Sequence, residues 1–192
     1  MLSNLREAVR PLLNRVARIF VIAGFSPNAL TYLGFLTGLI AALLFAGGEP
    51  RWAGLVLLIC GLFDAVDGAV ARLTGRGTAF GGVFDSVVDR YVDFMVFAGI
   101  IYGDLARLGL PSCAWGVLAL TGSFMVSYVR ARAEAAGSGR LDIGIAERGE
   151  RLLILAFGGL FALTNYAVAL VAILTHFTAV QRLFVAEVRL RR

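Results

Sequence analysis

The chain has 192 residues, of which 59% are hydrophobic, and its mean hydropathy is +0.82. Soluble domains contain about 45–50% apolar residues, so this composition excludes an ordinary soluble protein and predicts a polytopic membrane protein. All 18 basic residues are arginines, against 13 acidic residues, which gives a net charge of +5. Each basic group is therefore a guanidinium, whose planar fork suits phosphate.

The first predicted element is an amphipathic helix from Leu2 to Phe25. Apolar residues recur on one side at helical spacing and arginines fill the remaining surface, a pattern typical of a helix that lies in the membrane interface. The apolar members are Leu5, Val9, Leu12, Leu13, Val16 and Ile19, and the basic members are Arg6, Arg10, Arg15 and Arg18. Residues 1–25 are thus predicted to be a juxtamembrane helix, followed by a membrane domain at 26–192.

Six later stretches are long and apolar enough to be membrane spans, since about 20 residues cross the hydrocarbon core. They are Ala29–Gly48, Ala53–Arg72, Phe80–Tyr102, Pro111–Val129, Ile145–Thr164 and Tyr166–Leu183. The predicted fold is therefore an all-α integral membrane protein with six transmembrane helices after the interfacial helix.

Arginine placement predicts the orientation, because basic residues accumulate on the cytoplasmic side. The N-terminal segment, the connection with Arg76, the connection from Arg130 to Arg151 and the C-terminal tail are basic, whereas the opposite connections are close to neutral. Both termini are expected to face the cytoplasm, in the cell membrane.

Four aspartates interrupt the second and third predicted spans: Asp64, Asp67, Asp85 and Asp89. A carboxylate at membrane depth costs about 2.5–3.5 kcal/mol, so four together indicate a functional site. The members of each pair are three or four residues apart and share a helix face. Together they favour a two-metal site for phosphoryl chemistry, with cation transport, or structural ion pairs with Arg72, Arg76 and Arg90, as alternatives.

The spacing D-x2-D-G-x2-A-R-x8-G-x3-D-x3-D spans Asp64 to Asp89 without a departure. It resembles the signature of the CDP-alcohol phosphatidyltransferase family. The resemblance implies that an acceptor hydroxyl attacks the lipid-linked phosphorus of a CDP-linked lipid and releases CMP. It implies two Mg²⁺ or Mn²⁺ ions held by Asp64, Asp67, Asp85 and Asp89, with Asp89 also as the catalytic base.

The same resemblance implies a binding site for the CDP-linked lipid. Its expected residues are Gly68, Arg72, Thr78 and the segment P-N-A-L-T, which comprises Pro27, Asn28, Ala29, Leu30 and Thr31. That segment also reads as an ordinary helix start with a proline. The continuing aspartate stripe reaches Asp93, for which an ion pair with an arginine is expected.

A second polar cluster lies near the fourth and fifth spans and resembles the branch of the family that uses inositol phosphate. The resemblance implies that its arginines bind the phosphate of inositol 1-phosphate: Arg130 or Arg132, Arg151 with Arg148, and Arg182. The lipid portion is diacylglycerol or archaeol. Glycerol 3-phosphate is the alternative acceptor, and a cation transporter is the alternative of another class. A homodimer in contact with membrane lipids is expected, without nucleic acid.

Overall fold

The computed structural model describes residues 2–191, and the side chains of residues 10–191. Within that range the regular secondary structure consists of seven α-helices. They are α1 (Leu2–Ile22), α2 (Pro27–Ala46), α3 (Pro50–Thr74), α4 (Ala79–Tyr102), α5 (Ser112–Ala135), α6 (Arg148–Leu160) and α7 (Thr164–Leu190). The prediction of an all-α fold is confirmed.

The helices nearest the aspartates begin at defined capping residues. The Ser26 side chain accepts a hydrogen bond from the Ala29 amide at 3.2 Å, with Pro27 in the first turn of α2. The Thr78 hydroxyl accepts one from the Gly81 amide at 2.9 Å and so starts α4. Because side-chain caps satisfy the first free amides of a helix, they fix where α2 and α4 begin.

Four helices, α2, α3, α5 and α7, are long and apolar enough to cross a membrane. Helix α4 has 24 residues, but the third predicted span carries Asp85, Asp89, Arg90 and Asp93 within three helical turns. By length and composition, four helices are therefore candidate membrane spans, and the predicted number of six is not confirmed.

The helix of the fifth predicted span, Ile145–Thr164, is shorter than the sequence predicted. Helix α6 has 13 residues, which at about 1.5 Å per residue reach roughly 20 Å, short of a hydrocarbon core about 30 Å thick. The helix begins late because the Glu147 side chain accepts from the Glu150 amide and the Glu150 carboxylate accepts from the Glu147 amide. It ends early because Ala162 adopts a left-handed backbone conformation, with φ of 56°.

Helix α1 packs on α3 through part of its predicted apolar stripe. Leu13 and Val16 contact a buried cluster that includes Val66 and Val70, one turn from the aspartates. Two other members of the stripe, Leu12 and Ile19, remain exposed, whereas the side chains of Leu5, Arg6 and Val9 lie outside the described residues. One part of the apolar stripe therefore packs on α3, and the other part is exposed on the surface of the protein.

The remaining helices surround one core. Helix α2 packs against α3 and α4, α3 against α6, and α5 against α4 and α7. Phe45, Leu57, Phe97, Ile100 and Val168 are among its fully buried side chains. This arrangement places α3 and α4, which carry the aspartates, both against α2.

Glycines allow the backbones to approach closely where these helices cross. A Cβ on Gly99 of α4 would collide with the Ala42 carbonyl of α2, and a Cβ on Gly159 of α6 would lie 2.6 Å from the Pro50 carbonyl of α3. Small residues at helix crossings are the usual means of close packing in membranes. The crossings therefore hold the site-bearing helices at backbone contact distance.

We predict that Gly99→Ala destabilises the protein although alanine is the better helix former. The added methyl group meets a backbone carbonyl that cannot rotate away, so the free energy of unfolding should fall by about 1–3 kcal/mol, the usual cost of overpacking. Thermal unfolding of the purified protein in detergent measures this. Gly82→Ala in the same helix is the matched control, because nothing lies within 4 Å of its added Cβ. Equal melting temperatures for the two variants would contradict the proposed packing constraint.

Candidate active site

Three aspartates form a compact oxygen cluster between α3 and α4. Asp64, Asp85 and Asp89 each present a carboxylate oxygen, and the three oxygens lie within 4.8 Å of one another. The cluster forms because the two aspartates of α4 lie one turn apart and face α3. Hard divalent cations prefer carboxylate oxygens, and this donor set fits such an ion.

Asp67 lies one turn beyond Asp64 and is held by α2. Its Oδ2 accepts a hydrogen bond from Thr31 Oγ1 at 2.8 Å, and its side chain is buried. It is not a member of the three-oxygen cluster, but it lines the same cavity of about 10 Å³ as the other three aspartates. The four predicted metal-site residues are therefore brought together, with Asp67 at one side.

Arg148, the first residue of α6, reaches into this cluster. Its Nη1 lies 2.5 Å from Asp64 Oδ1 and 2.9 Å from Asp89 Oδ1, and its Nε lies 3.8 Å from Asp93 Oδ1. From the family resemblance, Arg148 is expected to bind the acceptor phosphate. In the structure it lies on the boundary, since it lines both the aspartate cavity and a larger neighbouring cavity.

The ion pair expected for Asp93 is formed with Arg151. Arg151 Nη2 donates to Asp93 Oδ2 at 2.7 Å, and its Nη1 donates to the Ala146 carbonyl at 2.9 Å. Both side chains are at least 93% buried. Breaking a buried pair leaves an uncompensated charge, so Arg151 is strongly held while its Nε has no hydrogen-bond partner.

The larger cavity has a volume of about 630 Å³ and adjoins the aspartates. It is lined by five arginines together with acidic and aromatic residues; the arginines are Arg90, Arg130, Arg148, Arg151 and Arg182. We call this space the arginine pocket. Asp89 also lines it, so the pocket and the aspartate cavity share a wall.

Arg182 is anchored by backbone carbonyls at the floor of the arginine pocket. Its Nε donates to Ile143 and its Nη1 to Val126, each at 2.8 Å. Its Nη2 is 3.7 Å from Glu147 Oε1 and has no hydrogen-bond partner. A buried guanidinium with a free N–H that faces a cavity is suited to an anion.

The structure separates the two arginines between which the sequence could not choose. Arg130 lines the pocket and is oriented by Glu134 at 3.1 Å and Asp142 at 2.7 Å. Arg132, two residues further along α5, is exposed and does not line the pocket. Helical geometry explains the difference, because residues two apart point in opposite directions.

Arg90 is a pocket residue that the sequence analysis considered only as an ion-pair partner. It donates to Ser127 Oγ at 2.6 Å, to the Ser86 carbonyl at 2.8 Å and to Asp89 Oδ2 at 3.2 Å. In the sequence, only its position next to Asp89 indicates that Arg90 belongs to the site. The packing of α4 on α5 shows that it lines the pocket.

The residues expected to bind the CDP group lie around the first turns of α2 and α4. Pro27–Thr31 forms the start of α2, and a Cβ on Gly81 would lie 3.5 Å from Asn28 Oδ1. Thr78 caps α4 through its hydroxyl. A Cβ on Gly68 would lie 3.4 Å from Arg72 Nη1, so the exposed Arg72 side chain folds back over that glycine. Of these residues, Thr31 lines the aspartate cavity, and none lines the arginine pocket.

Comparison with known proteins agrees with this geometry. Residues 25–181 match the family model described as CDP-alcohol phosphatidyltransferase. The chain is 45% identical to the archaetidylinositol phosphate synthase of Pyrococcus horikoshii over 99% of this chain and 98% of that protein. It is 40% identical to the phosphatidylinositol phosphate synthase of Mycobacteroides abscessus over 82% of this chain and 72% of that protein.

Solved structures of a related enzyme have the same fold. Mycobacterium tuberculosis phosphatidylinositol phosphate synthase with CDP-DAG bound superposes with a TM-score of 0.78 at 33% identity, covering 92% of this chain and 94% of that one. The same enzyme in complex with manganese and citrate also gives 0.78, at 32% identity and with 91% and 88% coverage. This chain is thus an all-α integral membrane protein, and it belongs to the CDP-alcohol phosphatidyltransferase family.

Proposed function

We propose that this protein transfers the lipid phosphate group of a CDP-linked lipid to a hydroxyl of inositol 1-phosphate. The lipid is diacylglycerol or archaeol, since the similar proteins named above include synthases of both types. In the reaction the acceptor oxygen bonds to the lipid-linked phosphorus and the bond from that phosphorus to CMP breaks. The hydroxyl proton goes to a base, and CMP leaves.

The proposal includes a divalent metal site at Asp64, Asp67, Asp85 and Asp89. The oxygen cluster has the donor chemistry for Mg²⁺ or Mn²⁺, and a related enzyme was crystallised with manganese. Four carboxylates suit two ions. When bound, such ions polarise the diphosphate and stabilise charge on the attacking and leaving oxygens.

One observation carries the proposal: Asp89 lines both the aspartate cavity and the arginine pocket. A general base must lie within hydrogen-bond reach of the hydroxyl that it deprotonates. An acceptor held by its phosphate in the arginine pocket would present its hydroxyl toward this shared wall. Asp89 is therefore the base, and its neighbour Arg90 keeps its carboxylate oriented through the 3.2 Å contact.

Residues from the start of α2, the end of α3 and the start of α4 would hold the CDP group. Gly68 leaves room for a bulky ligand, and the Arg72 guanidinium above it can bind the diphosphate. The first turn of α2, Pro27, Asn28, Ala29, Leu30 and Thr31, and the cap of α4, Thr78, would contact the remainder. Phosphoryl transfer depends mainly on such positioning and charge stabilisation.

The acceptor carries a phosphate because the pocket holds cationic N–H groups without partners. Arg151 Nε and Arg182 Nη2 are buried and lack hydrogen-bond partners, and Arg130 lies at the pocket wall. A neutral acceptor would bring no negative charge to these guanidinium groups, which bind an anion more strongly than a neutral oxygen. Glycerol 3-phosphate would bring the same charge, but the two relatives compared above are named archaetidylinositol phosphate synthase and phosphatidylinositol phosphate synthase.

In the membrane we propose six spans: the four long apolar helices, α4, and the segment 145–164, whose short helix α6 the bilayer would accommodate by local thinning. Helix α4 has 24 residues, about 36 Å, and its exposed Phe80, Val87 and Phe94 would contact lipid. Its Asp89 and Asp93 are paired with Arg90 and Arg151. The basic connections favour a cytoplasmic location for both termini and for the active site. Residues 1–25 form the interfacial segment and 26–192 the membrane domain, which we expect to be a homodimer.

Membership of a transferase family accounts for the carboxylates without cation transport. An acceptor panel tests the proposal directly. Purified protein that is given a CDP-linked lipid, inositol 1-phosphate and Mg²⁺ or Mn²⁺ should release CMP. This release should stop when EDTA is added. Inositol, glycerol 3-phosphate and serine are the comparison acceptors. CMP release that is fastest with one of these, or that continues in EDTA, would refute the assignment.

Asp89→Asn should lower the rate of CMP release by about 10²–10⁴, the usual contribution of a general base. Binding of the CDP-linked lipid should persist in part, because Gly68 and Arg72 remain. Single-turnover CMP release and a lipid-binding titration measure the two effects. Asp104→Asn is the control: that exposed carboxylate pairs with Arg107 in the connection between α4 and α5. A rate for Asp89→Asn close to that of this control would contradict the role.

Arg130→Gln should raise the KM for inositol 1-phosphate by about tenfold or more, since a hydrogen bond to a charged group contributes about 1.5–3 kcal/mol. The KM for the CDP-linked lipid should not change. Arg132→Gln removes the same charge from the same helix but outside the pocket, and it should behave as wild type. Steady-state kinetics at saturating lipid provide the measurement. Equal effects of the two substitutions would mean that only the overall charge matters.

A further inference from the structure

We propose that Arg148 competes with the divalent metal for the aspartates, and that metal binding turns its side chain into the arginine pocket, where it binds the acceptor phosphate. Metal and acceptor phosphate would then bind cooperatively through one side chain. This inference deepens the proposed function and rests on it.

The competition follows from shared oxygen atoms. Arg148 Nη1 contacts Asp64 and Asp89, and these are two of the three residues whose oxygens form the compact cluster. A guanidinium and a divalent ion at these carboxylates would repel each other at short range in a medium of low dielectric constant. The Arg148 guanidinium and the divalent ion therefore exclude one another from the aspartates. A displaced guanidinium needs another anion to compensate its charge.

Arg148 is able to move because only charge holds it. Although its ion pairs are short, neither Nε nor Nη1 has a partner in hydrogen-bond geometry. Arg151 and Arg182, in contrast, donate to backbone carbonyls at 2.8–2.9 Å. Within residues 10–191, no backbone carbonyl accepts a hydrogen bond from the Arg148 side chain. Its backbone is fixed by the capping box of α6, so the motion would be a side-chain rotation.

The destination is the arginine pocket, which Arg148 already lines. Without an anion, a further guanidinium beside Arg151 and Arg182 would meet like charge. With a phosphate there, it would share the anion with Arg151 and Arg182, each of which has an N–H group without a hydrogen-bond partner. Metal thus drives Arg148 out of the cluster and phosphate draws it into the pocket. Because coupling between binding sites is reciprocal, each ligand should raise the affinity for the other by the same factor.

The competing interpretation is that Arg148 stays among the aspartates and merely lowers metal affinity through its charge. Arg90 offers a matched control for this effect. It contacts the same carboxylate, Asp89, at 3.2 Å, but it is anchored by Ser86 and Ser127. Arg90→Gln therefore removes a nearby positive charge without removing the mobile group.

The test measures binding of Mn²⁺ and inorganic phosphate to the full chain, purified in detergent, by calorimetry without lipid substrate. In the wild type, saturating phosphate should lower the Kd for Mn²⁺ by about 5- to 150-fold, the usual range of coupling between sites. In Arg148→Gln, the Kd for Mn²⁺ without phosphate should fall and most of the coupling should disappear. In Arg90→Gln, the coupling factor should stay within about twofold of the wild type.

Three outcomes overturn the inference: no coupling in the wild type, undiminished coupling in Arg148→Gln, or equal losses of coupling in the two variants. If the glutamine variant does not fold, Arg148→Lys replaces it, because lysine keeps a charge among the aspartates but lacks the planar fork for phosphate. The coupling between Mn²⁺ and phosphate should be reduced in Arg148→Lys as well. Coupling equal to that of the wild type in this variant would overturn the inference. Failure of the wild type to bind Mn²⁺ saturably would instead refute the proposed metal site, and with it the proposed function.

Discussion

The constraint on which this structure depends is the compensation of negative charge inside an apolar bundle. Asp64, Asp85 and Asp89 bring their oxygens within 4.8 Å of one another, and like charges at that separation repel strongly where water is scarce. A cation must therefore accompany them. The fold supplies Arg148 from α6 and Arg90 from the same helix as Asp89, while Asp93 is neutralised separately by Arg151.

Close helix packing makes this arrangement possible. The carboxylates of α3 and α4 converge because both helices pack on α2, and the glycine at the Ala42–Gly99 crossing permits the close approach of α4 to α2. The hydrogen bond from Thr31 to Asp67 ties α2 to the same cavity. Packing and chemistry are thus coupled: a change that separates these helices also separates the oxygens. The glycines at the helix crossings therefore influence the distances between the carboxylates, although they do not line the site.

The sequence predicted what helical periodicity determines and missed what tertiary packing determines. Asp85 and Asp89 had to share a face because they lie one turn apart, and the family spacing related them to Asp64 and Asp67. The length of α6 was missed because hydropathy does not reveal a capping box at Glu147 or the left-handed residue at Ala162. Long side chains were the least predictable, since the direction of Arg148, or the choice between Arg130 and Arg132, depends on neighbouring helices.

The proposed acceptor site and the proposed base meet at the wall that the two cavities share. Asp89 and Arg148 line both spaces, so a ligand that fills the arginine pocket also changes the charge beside Asp89. A phosphorylated acceptor would bring negative charge to Arg151 and Arg182, each of which has a buried N–H group without a hydrogen-bond partner. A neutral polyol of the same shape would bring none, and a guanidinium binds an anion more strongly than a neutral oxygen. We therefore propose that discrimination against unphosphorylated acceptors comes from these buried arginines and needs no contact to the polyol ring.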